Sequence, residues 1–223
     1  VRRLIALFAL LGGIGGAAMT PEVVTVANSE PSIAPLSAAA RAVGFIDVRT
    51  AVPDAVIDLR YATADNFVGT PLYPPGARCL VHESLASGLM TAAAQLRARG
   101  LRLVFWDCYR PHDVQVRMFQ VVSNPAWVAQ PGPYSKSHES GRSVDVTTAG
   151  ATSLSEMGTG FDDFTAASHA YATEGVSAAA QYNRAVLREA MAAGGLTVYS
   201  GEWWHFDAPG AGERRPIINV PLT

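Results

Sequence analysis

"SKSHESGRSVDVTT", Ser135 to Thr148, sets His138 and Asp145 seven positions apart, with Gly141 between them, at the entry to an alternating run. From Ser143 to Thr148, Val144 and Val146 fall on one face of an extended strand, and Ser143, Asp145 and Thr147 on the other. If the valines point into a core, Asp145 points to the opposite surface. Gly141 lets the chain turn sharply enough for the loop residue His138 to reach the same cleft. Two readings stay open for this stretch alone: polar residues that face water, or half of a metal site. Histidine and aspartate are mostly exposed residues, so the rest of the chain has to decide.

"EWWHF", Glu202 to Phe206, shifts the balance. It places a polar pair inside a bulky aromatic run that otherwise favours a buried strand. An unpaired carboxylate buried there costs several kcal/mol unless something compensates, and a metal ion or an arginine does so. Catalytic zinc takes three protein ligands and leaves a fourth position open. His138, Asp145 and His205 make up such a set, and Glu202 stands close enough to act as a general base. Strand periodicity puts Glu202 and His205 on opposite faces, so this reading requires a bend or bulge at Gly201–Glu202. "DCYRP", Asp107 to Pro111, closes a buried strand with Arg110, which the following proline biases towards extended backbone. An arginine at a strand end beside a metal cleft offers a planar fork of donors to an oxyanion, and a structural salt bridge is the alternative.

Around these motifs the chain reads as an α+β domain: a small, mostly antiparallel sheet with helices packed against it and a zinc cleft. "GFIDVRTAVPDAVIDLRYAT" predicts two short strands about a Pro-Asp turn, and "LRLVFWD" a buried strand. Leu85, Leu89, Ala93 and Leu96 recur at helical spacing between Ser84 and Arg99, ahead of Gly100. A second helix starts at Pro111 and runs to about Val122; the longest, 177–193, stops at Gly194-Gly195. "LTVYSGEWWHF" predicts a final strand pair or one kinked strand. Trp106, Trp203 and Trp204 are expected in the core and pocket wall. His82, His112 and His169 show no ligand spacing and are expected as surface or capping residues.

Seventeen basic against 19 acidic residues give a net charge of −2, and no basic stripe marks a nucleic-acid surface. A small-molecule substrate is the expected partner. The first residues, "VRRLIALFALLGGIGGAAMT", read as an export signal: Arg2 and Arg3, an apolar run from Leu4 to Leu11, and small residues before Met19. That run is short for a membrane span, so no stable insertion is expected after cleavage. The expected organisation is a signal peptide over 1–18, a proline-punctuated linker or arm over 19–43, and one domain over 44–223, in a periplasmic or secreted protein. Cys79 and Cys108 are the two cysteines; oxidising surroundings permit a disulfide, and the sequence leaves their pairing open.

In order, "DLRYATADNFVGTPLY", "FWDCYRP", "SHESGRSVD", "MGTGFDDF" and "GEWWHF" resemble the D-alanyl-D-alanine dipeptidases of the zinc D,D-peptidase group, over roughly residues 45–208. The resemblance implies hydrolysis of D-Ala-D-Ala at one zinc ion per chain, in cell-wall peptide turnover. It implies His138, Asp145 and His205 as ligands, Glu202 as the base, and Arg110 as the residue that steadies the tetrahedral intermediate. It also implies Asp162 as receptor of the substrate ammonium with Tyr61 nearby, and Ser137 as a contact for the substrate carboxylate. The wider pattern has serine and alanine where this chain has Lys136 and Ser143, and Tyr73 is the candidate for a substrate-touching tyrosine. A carboxypeptidase or endopeptidase acting on longer wall peptides, and a non-catalytic wall-binding module, are the rival functions. Glu202 beside a full ligand set argues against a mere binder.

Overall fold

The computed structural model describes residues 33–223. The expected signal peptide and most of the expected arm lie outside the described residues. The last part of that arm is not loose. Ala38–Ala42 forms helix α1, capped by the Ser37 hydroxyl, which accepts from the Ala40 N–H at 3.1 Å. Ala40 is buried, so the packed part of the chain starts several residues before Gly44. Alanines that look too small to anchor a segment are strong helix formers once capped, and their size lets the helix sit close to the core.

The strands and helices follow in this order: β1 (Phe45–Asp47), β2 (Val56–Ile57), β3 (Leu80–His82), α2 (Ala86–Arg97), β4 (Arg102–Asp107), α3 (His112–Val121), β5 (Ser143–Ala149), α4 (Ala178–Ala193), β6 (Thr197–Val198) and β7 (His205–Asp207). β1 pairs with β3 in a two-stranded sheet, whereas β2 joins a five-stranded sheet of order β2-β4-β5-β7-β6. The two strands predicted about the Pro-Asp turn therefore belong to different sheets. Only the β2–β4 pair is parallel within the larger sheet; β4–β5, β5–β7 and β6–β7 are antiparallel. This is the small, mostly antiparallel sheet of the expected α+β class.

The helices behave as their periodicity predicts. Leu89, Ala92, Ala93 and Leu96 form the buried stripe of α2. Ser177 caps α4, with its hydroxyl accepting from the Ala180 N–H. α2 packs against α4 and β4. Leu89, Leu96 and Leu187 join Val144 and Val146 in the core. A side chain at Gly88 would place its Cβ 2.4 Å from the Gly194 carbonyl oxygen, so glycine at both positions lets the two helices approach. No helix of the described residues is long and apolar enough to cross a membrane.

Cys79 and Cys108 are joined as a disulfide that ties the start of β3 to the end of β4 across a separation of 29 residues. A loop of that size constrains the unfolded chain by about 3–4 kcal/mol in the chain-entropy account. Replacing both cysteines by alanine should lower the unfolding free energy by about that amount, read by urea denaturation under oxidising conditions. Equal stabilities would show that the link constrains nothing.

Candidate metal centre

Strand register builds the centre. Asp107 on β4 opposes Asp145 on β5 after a register shift, and Asp145 opposes His205 on β7. Residues opposed across antiparallel strands project from the same face, so one row carries three polar side chains over the sheet. His138 arrives from the preceding loop. Ser137–Ser140 forms a short 3-10 turn ended by Gly141 at φ 65°, where a Cβ would lie 2.6 Å from the Phe45 ring. The sharp turn expected at Gly141 is therefore present, and only glycine fits it.

The ligand atoms of His138, Asp145 and His205 all lie within 4.8 Å of one another. His138 Nε2 is 3.0 Å from His205 Nδ1 and 3.2 Å from Asp145 Oδ1, and His205 Nδ1 is 3.0 Å from the same Asp145 oxygen. The outer nitrogens are engaged. His138 Nδ1 donates to the Cys108 carbonyl at 2.8 Å, and His205 Nε2 donates to Asp207 Oδ1 at 3.1 Å. Both inner nitrogens are thereby left with lone pairs turned towards a carboxylate oxygen and towards each other. Three such acceptors at hydrogen-bond distance require a cation between them, so the residues fit a bound metal. Two imidazoles and one carboxylate are a zinc set, and the outer hydrogen bonds fix which nitrogen ligates.

The surrounding charges agree. Burial would raise the Asp145 carboxyl, but His138 and His205 hold it well below its usual value. Burial would lower the His205 imidazole, but the Asp145 and Asp207 carboxylates, which accept from a charged ring, push it well up.

Glu202 lines the same cavity, of about 330 Å³. It does not lie in the strand: its N–H bonds the Tyr199 carbonyl at 3.2 Å in the connection between β6 and β7, and β7 begins only at His205. The required bend is a turn before the strand. Burial pushes the Glu202 carboxyl up to about 7, against the pull of His205.

Arg110 makes the structural salt bridge that was one of its two expected roles. Its Nε and Nη2 donate to Asp107 Oδ2 at 3.0 and 2.6 Å, and its Nη1 donates to Gln115 Oε1 at 2.7 Å. A guanidinium has five N–H donors, so two remain for the cavity it lines. Its Nη2 stands 3.9 Å from Asp145 Oδ2. Asp162 and Tyr61 also come together, the phenol donating to Asp162 Oδ2 at 2.9 Å. Burial, aided by the negative charge of Asp145, pushes the Asp162 carboxyl well above its ordinary value. Asp162 and Ser137 are the two non-glycine residues with positive φ among those described, at 55° and 50°. Such conformations recur where a site holds side chains in place.

Other expectations need correction. Tyr73 does not line the cavity; it is buried and donates to Asp107 Oδ1 at 2.6 Å. His112 is no surface residue, since its Nδ1 lies 2.5 Å from Glu139 Oε1 and Glu139 lines the cavity. His82 does cap, accepting from the Ser84 N–H at 3.1 Å. Trp106, Trp203 and Trp204 are core residues. Ser143, at the position where alanine was expected, donates to Asp207, the carboxylate behind His205, and accepts from Ser137 Oγ at 2.9 Å. Sequence reasoning did not identify Asp207; its opposition to Ser143 across the β5–β7 pair shows only in the register. Phe67, Trp127 and Phe164 form an apolar wall, with Trp127 stacked on Phe164 at 5.3 Å.

Residues 41–223 match the family model described as D-ala-D-ala dipeptidase. The chain is 36% identical over 168 residues to a D-alanyl-D-alanine dipeptidase of Escherichia coli (strain K12), covering 75% of this chain and 86% of that protein. It is 30% identical over 190 residues to one of Enterococcus faecium, covering 74% and 91%. A crystal structure of a vancomycin resistance D,D-pentapeptidase in complex with Zn(II) overlaps 61% of this chain and 76% of its own, at 18% identity and a TM-score of 0.40. The chain belongs to the D-Ala-D-Ala dipeptidase family.

Proposed function

We propose that this chain hydrolyses D-Ala-D-Ala to two molecules of D-alanine, with one zinc ion held by His138, Asp145 and His205. The observation that carries this reading is the convergence of those three side chains in one cavity with Glu202, Arg110 and Asp162. Zinc bound there supplies Lewis acidity, polarising a peptide carbonyl and making a water acidic near neutral pH. Glu202 takes the proton from the attacking water and returns it to the leaving amine, a task suited to a carboxyl poised near neutrality. Arg110 turns its two free N–H groups to the developing oxyanion. Asp162, steadied by Tyr61, pairs with the substrate ammonium. The Ser137 hydroxyl meets the substrate carboxylate by turning its proton to it from Ser143 Oγ.

An anchor at each end, a carboxylate for the ammonium and a hydroxyl for the carboxylate, selects for length. In a longer peptide the ammonium becomes an amide, and the half-buried Asp162 is left without a cation. Free D-Ala-D-Ala should therefore exceed an N-acylated peptide ending in D-Ala-D-Ala by about 10³-fold or more in kcat/KM. Equal turnover of the two would overturn the two-ended anchor. Export to the periplasm or the exterior belongs to the same proposal. The charged and apolar pattern of residues 1–18 supports it, as does a disulfide, which persists in oxidising compartments.

A further inference from the structure

Five carboxylates line the metal cleft, those of Glu139, Asp145, Asp162, Glu202 and Asp207, against two permanent cations, Arg110 and Lys136. Arg110 is committed, with two donors on Asp107 and one on Gln115. Most of the carboxylates have partners too. Glu139 lies against His112 at 2.5 Å, and Asp162 accepts from Tyr61 at 2.9 Å. Asp207 Oδ1 takes the His205 N–H and the Ser143 hydroxyl, and Asp145 stands against both imidazoles. Lys136 alone of the two cations forms no ion pair among the described residues.

Lys136 is half-buried, and its Nζ stands 6.0 Å from the centre of the Tyr134 ring. Arg214 lies over the same ring at 4.5 Å, so the charge on that side is positive as well. The Lys136 ammonium also reaches into the cleft. Burial raises the Glu139 carboxyl, and His112, Arg110 and Lys136 pull against that rise. The main chain here is pinned: the Ser137 N–H donates to the Ala211 carbonyl at 2.7 Å, and the Glu139 N–H to the Lys136 carbonyl at 3.0 Å. Lys136 and Ser137 are therefore held side by side in the cavity wall.

A dipeptide brings one ammonium and one carboxylate. Asp162 answers the ammonium. A carboxylate that enters a cleft lined by five others, met by a neutral hydroxyl alone, loses more hydration than it regains. We propose that Lys136 is a specificity-determining residue whose ammonium pairs with the C-terminal carboxylate of the substrate, beside the Ser137 hydroxyl. This rests on the reading of the cleft as a D-Ala-D-Ala site. Where the wider pattern has a serine, this chain places a full positive charge, so it selects a free C-terminus by charge as well as by hydrogen bonding.

The test compares D-Ala-D-Ala with D-Ala-D-alaninamide, which keeps the ammonium and the scissile bond and has no carboxylate. In the zinc-loaded full chain the preference for the free acid, as a ratio of kcat/KM values, should fall about tenfold in Lys136→Met, through KM rather than kcat. Lys136→Arg, which keeps the charge, should keep the preference. A general loss of folding or of metal affects both compounds alike and leaves the ratio unmoved. An unchanged ratio in Lys136→Met overturns the proposal, as does a Lys136→Arg variant that loses as much as Lys136→Met. Calorimetric affinities of both compounds for the zinc-loaded Glu202→Ala protein give the same ratio without turnover. If the wild-type chain hydrolyses neither compound, the proposed function falls, and the role of Lys136 is then decided by binding. A drop of about tenfold in the affinity ratio when Lys136→Met is added supports it, and no drop, or no binding of the free acid, overturns it.

Discussion

Glu202→Ala is expected to lower kcat for D-Ala-D-Ala by about 10³-fold while one zinc ion per chain is retained. The two halves of this result belong together. Glu202 lines the cavity but is not among the side chains whose ligand atoms converge, so its loss should leave the metal in place. Its carboxyl is raised to about 7 by burial, and it acts only when ionised. Turnover should therefore fall as pH drops through the Glu202 value, and the positive charge of a bound cation draws that value to 7 or below. The alanine variant should lose this acid limb along with its rate. Glu202→Gln should behave as alanine does, since the amide has the shape without the basicity. Full activity in either variant would remove the proton-transfer role, and loss of zinc would recast Glu202 as a ligand.

The second large effect falls on stability. Arg184 on α4 is buried, yet no carboxylate pairs with it among the described residues. Its Nε donates to the Met157 carbonyl at 2.7 Å, and its Nη1 to the carbonyls of Ala167 and His169 at 2.9 and 3.3 Å. Its Nη2 reaches the Thr159 hydroxyl at 3.4 Å, and its guanidinium lies 5.4 Å from the centre of the Trp203 ring. One side chain thus ties down the segment between Met157 and His169, which carries Asp162. Burial pulls the Arg184 pKa down to about 10, still well above neutrality, so the group keeps its charge there. Arg184→Met leaves several buried acceptors unpaired and should cost about 3–5 kcal/mol. That corresponds to a fall of about 10 °C in Tm for a domain of this size. KM for the dipeptide should rise more than kcat falls, because the substrate anchor loses its support. An unchanged Tm would show that the segment holds its own shape.

How much of this was legible in the sequence depends on the range of the interaction. The β5 alternation and Gly141 disclosed where His138 and Asp145 lie, because strand period and left-handed turns are local properties. His205 needed only a strand that could pair with β5. Glu202 seemed to conflict with strand periodicity until the structure placed it in a turn, with the strand starting three residues later. Tyr73, His112, Ser143, Asp207 and Arg184 were misread or missed for a common reason. Each is defined by a partner far along the chain: Asp107, Glu139, the Ser143–Asp207 pair across two strands, and the carbonyls of a loop folded over α4. Nothing in their own neighbourhoods announces those partners. Arg110 lies between these cases, for its bond to Asp107 is local and its approach to Asp145 is not.

The central claim is that His138, Asp145 and His205 hold one metal ion on which turnover of the dipeptide depends. Metal content and D-Ala-D-Ala hydrolysis, measured on the same sample before chelation, after it, and after zinc is added back, test this most directly. The expected result is one zinc per chain, activity lost with the metal and restored with it, and neither zinc nor activity in His205→Ala. Undiminished hydrolysis by fully stripped protein, or stoichiometric zinc in His205→Ala, would contradict the account.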